Sequence, residues 1–400
     1  MAVNSMNFEQ SATMVSAIYE QMTGTSALAI VDESDFVRVG TTILKSGYDQ
    51  LSTAISQVLE RSIHGTRVYD SPYPSLIRDE DRWGGIVRKT TNLDLDYSDS
   101  KAWDAAAMAN GQSVDPFEIN RQLTIQTNFY GGQVEDLIVT RTRAQLETAF
   151  SSSAEFGSFW AQLAQDLANQ ITQRVEAVSR ETINNLIAAD ITHNDDRVFH
   201  VLTEYKAETG NTTITAANYL SEAEFSHFAK WLFGALKTKK NILRNRSGKF
   251  HTNFTTYNGA AVSKEIMRFT PDRFLNVYML SNFMNQVESS VLAATFHNEL
   301  VGTGNYESVD FWQSIDAPDS ISVTPNVLAA DGTCAAAATP VESTGIIGFL
   351  FDDEACGITV KHESVESIYN PRGKYMNEFH TTAVRSYNDQ TENSIVLMLD

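Results

Sequence analysis

Residues 151–190 constrain the fold more than any other stretch of this chain. Ser152 and Glu155 have the spacing of a capping box. Phe156, Phe159, Trp160, Leu163, Leu167, Ile171, Val175, Val178, Thr182, Ile183 and Leu186 then recur every three or four residues. No proline interrupts the run, and Gly157 is its only glycine, in the first turn. The pattern predicts one helix of about 35 residues and about 50 Å, against roughly 11–12 residues for a typical helix. Its apolar residues form a single stripe. Such a helix lies along a sheet or a neighbouring element, and an elongated molecule is expected.

The rest of the chain supplies the partners. Of 400 residues, 42% are hydrophobic and 10% aromatic, enough for a sizeable core or two to three modules. Aromatic and β-branched residues occur throughout, so the composition is not that of a disordered chain. The longest apolar runs, Ile346 to Phe351 and Ile395 to Leu399, fall far short of the roughly 20 residues that cross a bilayer. The start lacks a basic patch followed by an apolar stretch, so no signal peptide and no membrane are expected. Cys334 and Cys356 fit a reducing compartment and are expected as two buried or half-buried thiols.

Along the chain, residues 1–65 read as an arm of short helices. Met14, Val15, Ile18 and Met22 share one helical face, with Gly24 as a stop. Leu51, Ile55, Val58 and Leu59 mark a second helix ending before Gly65. Asp32-Glu33-Ser34-Asp35 and Gly40 are expected to break the pattern between them. Pro72 and Pro74 place an irregular connector at 66–82.

Residues 83–140 read as an elongated hairpin. Trp83 to Lys89 forms one side. On the other, Leu123, Ile125, Thr127 and Phe129 alternate with Thr124, Gln126 and Asn128. Between the sides lies an acidic, Ala-rich stretch with Asp94, Asp96, Asp99, Asp104, Gly111 and Asp115, too polar to form a core. It is expected to project toward another molecule.

Residues 198–360 alternate strands and helices and suggest a compact α/β region. Val198 to Leu202 reads as a strand. Ser221 and Glu224 repeat the capping-box spacing before Phe225, Phe228, Leu232 and Leu236. Phe274 to Leu280 reads as a strand, followed by a helix with Phe283, Val287, Val291 and Phe296 that ends near Gly302. Ile346 to Phe351 and Ile358 to Val360 read as buried strands, and 318–345 as a surface excursion. Tyr375 to Tyr387 and Ile395 to Leu399 flank the polar Asn388 to Glu392 and suggest a final hairpin. The C-terminus is expected to be tied down in its strand.

Chemical motifs are sparse. No Walker loop, zinc cluster, dinucleotide fingerprint or nucleophile elbow occurs. Asp94-x-Asp96-x-Ser98-x-Ser100 starts like a calcium loop, but Asp99 stands where glycine is needed and Ala105 where glutamate is needed. A solvated acidic tip is expected instead. Asp352-Asp353-Glu354 do not converge if they follow a strand, and a turn is expected. His200, His227, His251, His297 and His380 show no ligand spacing. No catalytic, cofactor-binding or metal residue is therefore assigned, and no enzyme activity is expected.

One basic run stands out against a net charge of −20: Lys237, Lys239, Lys240, Arg244, Arg246 and Lys249. Three readings are open. The run complements a helix C-terminus, pairs with acids of a neighbouring subunit, or touches nucleic acid.

The order of parts resembles a known family: arm, acidic-tipped hairpin, long single helix, α/β module, returning strands. Asn110 to Asp115, Gln126 to Gly131, Phe311 to Asp319 and Asn393 to Asp400 also read like stretches of the major capsid proteins of tailed double-stranded DNA bacteriophages. The resemblance covers most of the chain, and its weight lies in order and coverage. It implies an α+β chain with the Hong Kong 97-like fold. The implied parts are an N-terminal arm at 1–65 and an extended loop at 83–125. The peripheral domain begins at 126–202 with a spine helix at 153–190. The axial domain is 203–362, and 363–400 is a terminal peripheral hairpin.

The implied function is self-assembly, as pentamers and hexamers, into an icosahedral head shell. That shell encloses double-stranded DNA without specific binding, which suits an acidic wall. A separate scaffolding protein is implied, since the arm starts almost at Met1. A portal and decoration proteins are further implied partners, and assembly in the host bacterial cytoplasm leads to the virion capsid. Some relatives crosslink a loop lysine to an asparagine of the next subunit; Lys89, Lys101, Asn377 and Asn393 supply the residue types. An encapsulin-like compartment shell and an acidic cytoplasmic α/β enzyme are the alternatives.

Overall fold

A computed structural model describes residues 8–25, 30–46, 51, 54, 73–78, 86–95, 97, 117, 119, 121–130, 132–257, 259–289 and 305–400. The expected connector at 66–82, the loop tip around Asp99 to Asp115, Ile55 to Leu59, and Val291 to Gly302 lie wholly or mostly outside them.

The chain opens with α1 (Phe8–Thr23) and α2 (Glu33–Lys45), then β1 (Ile77–Arg78), β2 (Ile86–Asn92), β3 (Thr124–Tyr130) and β4 (Gln133–Thr142). Next come α3 (Arg143–Ala149), α4 (Ser153–His193), β5 (Val198–His200), α5 (Val201–Thr209) and α6 (Glu222–Leu243). Short strands β6 (Thr256–Tyr257) and β7 (Ala260–Ala261) precede β8 (Leu275–Leu280), α7 (Ser281–Ser289) and β9 (Asn305–Val309). The excursion holds β10 (Ile321–Val323), β11 (Asn326–Leu328), β12 (Cys334–Ala336) and β13 (Val341–Ser343). The last strands are β14 (Ile346–Asp352), β15 (Cys356–Asn370), β16 (Tyr375–Asn388) and β17 (Ser394–Met398). These residues fall into two compact units, the first being 1–82, 132–179 and 358–386, the second 83–131, 180–357 and 387–400.

The first unit holds a four-stranded sheet, β1-β15-β16-β4, in which β4 and β16 pair antiparallel from Thr142↔Tyr375 to Gln133↔Val384. Val178 of α4 packs with Ile358 and Val384 of this sheet. Helices α1 and α2 close over the start of α4 through Ile18, Phe36, Ile43, Phe150, Phe156 and Trp160. Gly24 ends α1 at φ +67°, as a left-handed stop requires.

The expected break at Asp32 to Asp35 is instead a helix start. The Asp32 carboxylate accepts the Asp35 N–H at 2.9 Å and so satisfies an orphan donor of α2. Glu33 accepts both the N–H and the hydroxyl of Ser153, each at 2.6 Å, at the start of α4. Gly40 sits inside α2 because the Phe150 ring lies 3.2 Å from where a Cβ would be. The long helix runs 41 residues, and the Ser152 hydroxyl accepts the Glu155 N–H at 3.2 Å.

The second unit holds a five-stranded sheet, β5-β17-β14-β8-β9. Strand β14 is buried at every position and runs antiparallel to both neighbours, while β9 is parallel to β8 and β5 to β17. Phe228, Leu232 and Phe283 of the helices share one core with Val277, Leu350 and Leu397 of the sheet.

Several expectations change here. Strand β5 stops at His200, and Val201 and Leu202 begin α5. Ser221 makes no side-chain cap; Glu224 turns to Asn211 and Thr213 at 2.6 and 2.8 Å. The hairpin ends at Tyr130, and β4 joins the other sheet. Most consequentially, β16 and β17 do not form a terminal hairpin. Strand β17 crosses into the second unit's sheet, between β5 and β14. Cys356 is buried as expected, but Cys334 is exposed, and the two are not joined in a disulfide. No helix among the described residues is long and apolar enough to cross a membrane.

Candidate assembly surface

The β2–β3 loop is built on seven antiparallel pairs, Ile86↔Tyr130 to Asn92↔Thr124. Its alternating pattern puts Ile125 inward, where it packs with Leu93, Phe254 and Ile266. Just beyond this base the described apolar residues are exposed. Tyr97 and Phe117 are 104% and 83% exposed, and Leu95 and Ile119 are exposed beside them. The loop therefore has an anchored root and, just past it, exposed apolar residues.

The anchor is electrostatic. Lys89 on β2 contacts Asp389 at 2.7 Å and also Glu392, with Glu354 at 3.5 Å. Arg268 binds the Thr391 carbonyl and the Thr91 hydroxyl at 2.9 Å each, and reaches Glu392 at 3.0 Å. Arg246 pairs with Asp94 at 2.9 Å. Burial alone would lower the Lys89 pKa, but Asp389 and Glu392 outweigh it and raise it, so the ammonium stays charged. Glu392 is pushed up to about 7 by burial, against the pull of Lys89 and Arg268.

The acids come from an unexpected place. Asp389 to Ser394, six consecutive polar residues, are all buried. Besides the pairs with Lys89 and Arg268, Gln390 and Asn393 bind other parts of the second unit. The Thr252 N–H donates to the Gln390 carbonyl at 2.7 Å, and the Gln390 amide donates to the Asn326 carbonyl at 2.6 Å. The Asp352 N–H donates to the Asn393 carbonyl and the Asn393 amide donates to the Thr270 hydroxyl, at 2.9 and 3.1 Å. The segment read from sequence as a polar turn does turn, but it is buried, and it forms a strap that fixes the loop root.

The residues singled out by sequence resolve differently. Four acids of the same chain pair five cations of the basic run: Lys239–Glu204, Lys240 and Arg244 with Asp272, Arg246–Asp94 and Lys249–Asp196, all within 3.6 Å. Asp352 to Glu354 form a turn and do not converge: Asp352 accepts the Thr270 hydroxyl at 2.6 Å, while Glu354 reaches Lys89. Burial raises the Asp352 pKa. His200 pairs with Asp400 at 2.7 Å, His251 is buried against the Ile266 carbonyl, His380 is buried and His227 is exposed. His297 and Lys101 lie outside the described residues. Lys89 and Asn393 are committed within the chain, and Asn377 accepts the Thr140 hydroxyl at 2.7 Å. No group of three potential metal ligands occurs among the described residues. A separate cleft of about 270 Å³ in the first unit lies between α4 and β4–β16, floored by Leu137, Ile171, Val175 and Val384.

Sequence reasoning missed Arg268 and the strap. The strap's signal is a polar run between two strands, which nothing local distinguishes from an exposed turn.

A loop held at its root with exposed apolar residues just past it, on a chain with a four-stranded sheet, a five-stranded sheet and a 41-residue helix, suits a shell subunit. A family model of phi29-like phage major capsid proteins matches residues 13–398. The chain belongs to the phi29-like family of phage major capsid proteins. Its fold is the Hong Kong 97-like capsid fold. The capsid of Staphylococcus phage Andhra is similar, with a TM-score of 0.52, 11% identity, and coverage of 84% of this chain and 87% of that one. The mature capsid of bacteriophage PhiM1 gives a TM-score of 0.42 at 9% identity, covering 83% and 87%. No curated protein sequence matches. As a phi29-like major capsid protein, the chain builds the icosahedral head shell that encloses phage DNA.

Proposed function

We propose that this capsid protein works through rings of five and six copies joined head-to-tail, with the β2–β3 loop reaching a neighbouring subunit. Heterologous contacts of this kind close into rings. The arm is assigned to 1–65, the extended loop to 83–125 and the spine to α4. The axial domain takes the five-stranded sheet and its helices, including β17. The peripheral domain takes the four-stranded sheet. A separate scaffolding protein, a portal and assembly in the host cytoplasm complete the reading, and the family is a structural one, so the work is assembly rather than chemistry.

The observation that carries this is the loop itself. A monomer that exposes Leu95, Tyr97, Phe117 and Ile119 on an anchored projection presents an apolar surface suited to a partner. Many such modest contacts acting together hold a shell without any single tight interface. The net charge of −20 keeps free subunits apart until those contacts form and offers packaged DNA no specific grip.

Deleting 94–115 tests the assignment. The expected product is a soluble, folded subunit whose yield of shells, counted by negative-stain microscopy, falls by about ten-fold or more. Normal shells from the deletion would sink the loop's role.

A further inference from the structure

The second unit carries two exposed features at opposite ends of its sheet. At one end, strand β8 is entered through Thr270 to Phe274. Phe269 and Phe274 are 53% and 39% exposed, Ile242 is exposed beside them, and the Arg273 guanidinium lies 4.4 Å above the Phe274 ring. The patch is rigid. The Thr270 N–H donates to the Leu243 carbonyl at 2.8 Å, and the Asp353 N–H donates to the Phe274 carbonyl at 2.7 Å. No acid pairs with Arg273 among the described residues. Exposed aromatic rings beside an arginine form the composition enriched at the centres of protein interfaces.

At the other end, β9 leads into Asp310 to Asp319. Trp312 is fully buried, and its indole N–H donates to the Ile346 carbonyl at 2.8 Å. The Ile346 N–H returns to the Asp319 carbonyl at 2.9 Å. On this anchor Ser314 and Ala317 bridge a tight turn that presents Ile315, 74% exposed, and Asp316, also exposed. No cation pairs with Asp316 among the described residues.

Strand β14 fixes the geometry. The turn is tied to Ile346, where the strand starts, and the patch to Asp353, just past its end at Asp352. The pairings of β8 with β14 and β9 agree, since both β8 and β9 run from the patch end to the turn end. At about 3.3 Å per residue the two features stand roughly 20 Å apart. One is apolar and anionic, the other apolar and cationic.

We propose that the Ile315–Asp316 turn of one copy docks on the Phe269, Arg273 and Phe274 patch of a second copy, a head-to-tail contact that repeats around the ring. This rests on the ring reading above and names the surfaces that make it. A second copy fits because it brings the matching turn, an aliphatic side chain for the aromatic rings and a carboxylate for Arg273. Each copy offers one of each, so a head-to-tail contact leaves a free turn and a free patch for the next copies.

A charge-reversal cycle tests it in the full-length chain, produced with whatever partners the wild-type chain needs to form shells. Asp316→Arg and Arg273→Asp should each lower shell yield by about ten-fold or more, with the melting temperature of the subunit unchanged. The double variant should recover most of the wild-type yield. Wild-type yield from either single variant, or no recovery in the double, overturns the contact. Normal shells with reduced DNA content from Arg273→Asp would assign the patch to nucleic acid and overturn it too.

A second arm separates the contact from the ring. The chain carrying Ile315→Cys and Phe274→Cys in a Cys334→Ser background should oxidise to covalent ladders ending at five and six copies. Shells with visible five- and six-fold rings but no ladder sink the contact alone. Ladders that never close support the contact and sink the ring.

Discussion

Two charged stretches of the second unit, Lys237 to Lys249 and Asp389 to Glu392, invert what their compositions suggest. The basic run looks functional, because six cations stand together in an acidic chain. The acidic segment looks like a turn between strands. In the fold the basic run is mostly surface, matched by acids at 2.9–3.6 Å from Asp94, Asp196, Glu204 and Asp272. The acidic segment is buried and holds the root of the β2–β3 loop. Burial, not charge count, decides which stretch matters, because a charge pair gains strength as water is removed and its loss leaves the remaining charge uncompensated.

The sharpest test of that contrast is Lys89→Met. Asp389 and Glu392 would remain buried, 1% and 7% exposed, with their lysine gone. Removing one partner of a buried pair costs about 3–5 kcal/mol, so urea unfolding of the soluble subunit should shift by that order. The β2–β3 root should also become the first part of the second unit to exchange its amide hydrogens. A loss below about 1 kcal/mol would put Lys89 in the class of surface pairs.

A smaller effect comes from Glu392, and its sign is unusual for an acid. Folded, Glu392 holds its proton up to about 7; its ordinary value is 4.5. Between about 4.5 and about 7 the folded chain binds more protons than the unfolded one, so stability falls as pH rises through that window and levels off above it. A shift of this size corresponds to about 3 kcal/mol. Asp190, fully buried and pushed from 3.8 to about 7 chiefly by burial, against the pull of Arg197, adds a slope of the same sign. Urea midpoints should therefore be higher at pH 5 than at pH 8. Glu392→Gln should remove part of that difference; an unchanged slope would show that Glu392 stays ionised beside Lys89.

The same contrast explains what the sequence made legible. The helix from Ser153 was visible because its apolar spacing runs unbroken from Phe156 to Leu186, about nine turns, and needs no distant partner to be recognised. Strand β14 was visible because the fully apolar run of six residues, Ile346 to Phe351, belongs in the middle of a sheet. The start of α2 was misread because Asp32 to Asp35 serve equally as a breaker and as a cap, and only the hydrogen bond to the Asp35 N–H tells them apart. The final hairpin was misread because β16 and β17 are neighbours in sequence, whereas the partners of β17 are β5 and β14, far upstream. The strap was hidden for the same reason. Its counter-charges, Lys89 and Arg268, stand 300 and more than 120 residues away, and no local pattern reports them. The exposed apolar residues beside the loop root were not legible, since their exposure depends on what the root packs against.

The smallest effect belongs to the stretch that looked most important. Lys249 pairs with Asp196 at 3.5 Å, with side chains 70% and 55% exposed. In that setting the attraction is screened, and holding two mobile side chains together offsets most of it. Lys249→Ala should change the unfolding free energy by no more than about 0.5 kcal/mol and leave shell yield at the wild-type level. A drop of about 1 kcal/mol or more would place this pair with the buried anchor. A drop in shell yield without a change in stability would mean that the acid Lys249 answers to in the shell belongs to another subunit, and Asp196 would then be its partner only in the free chain.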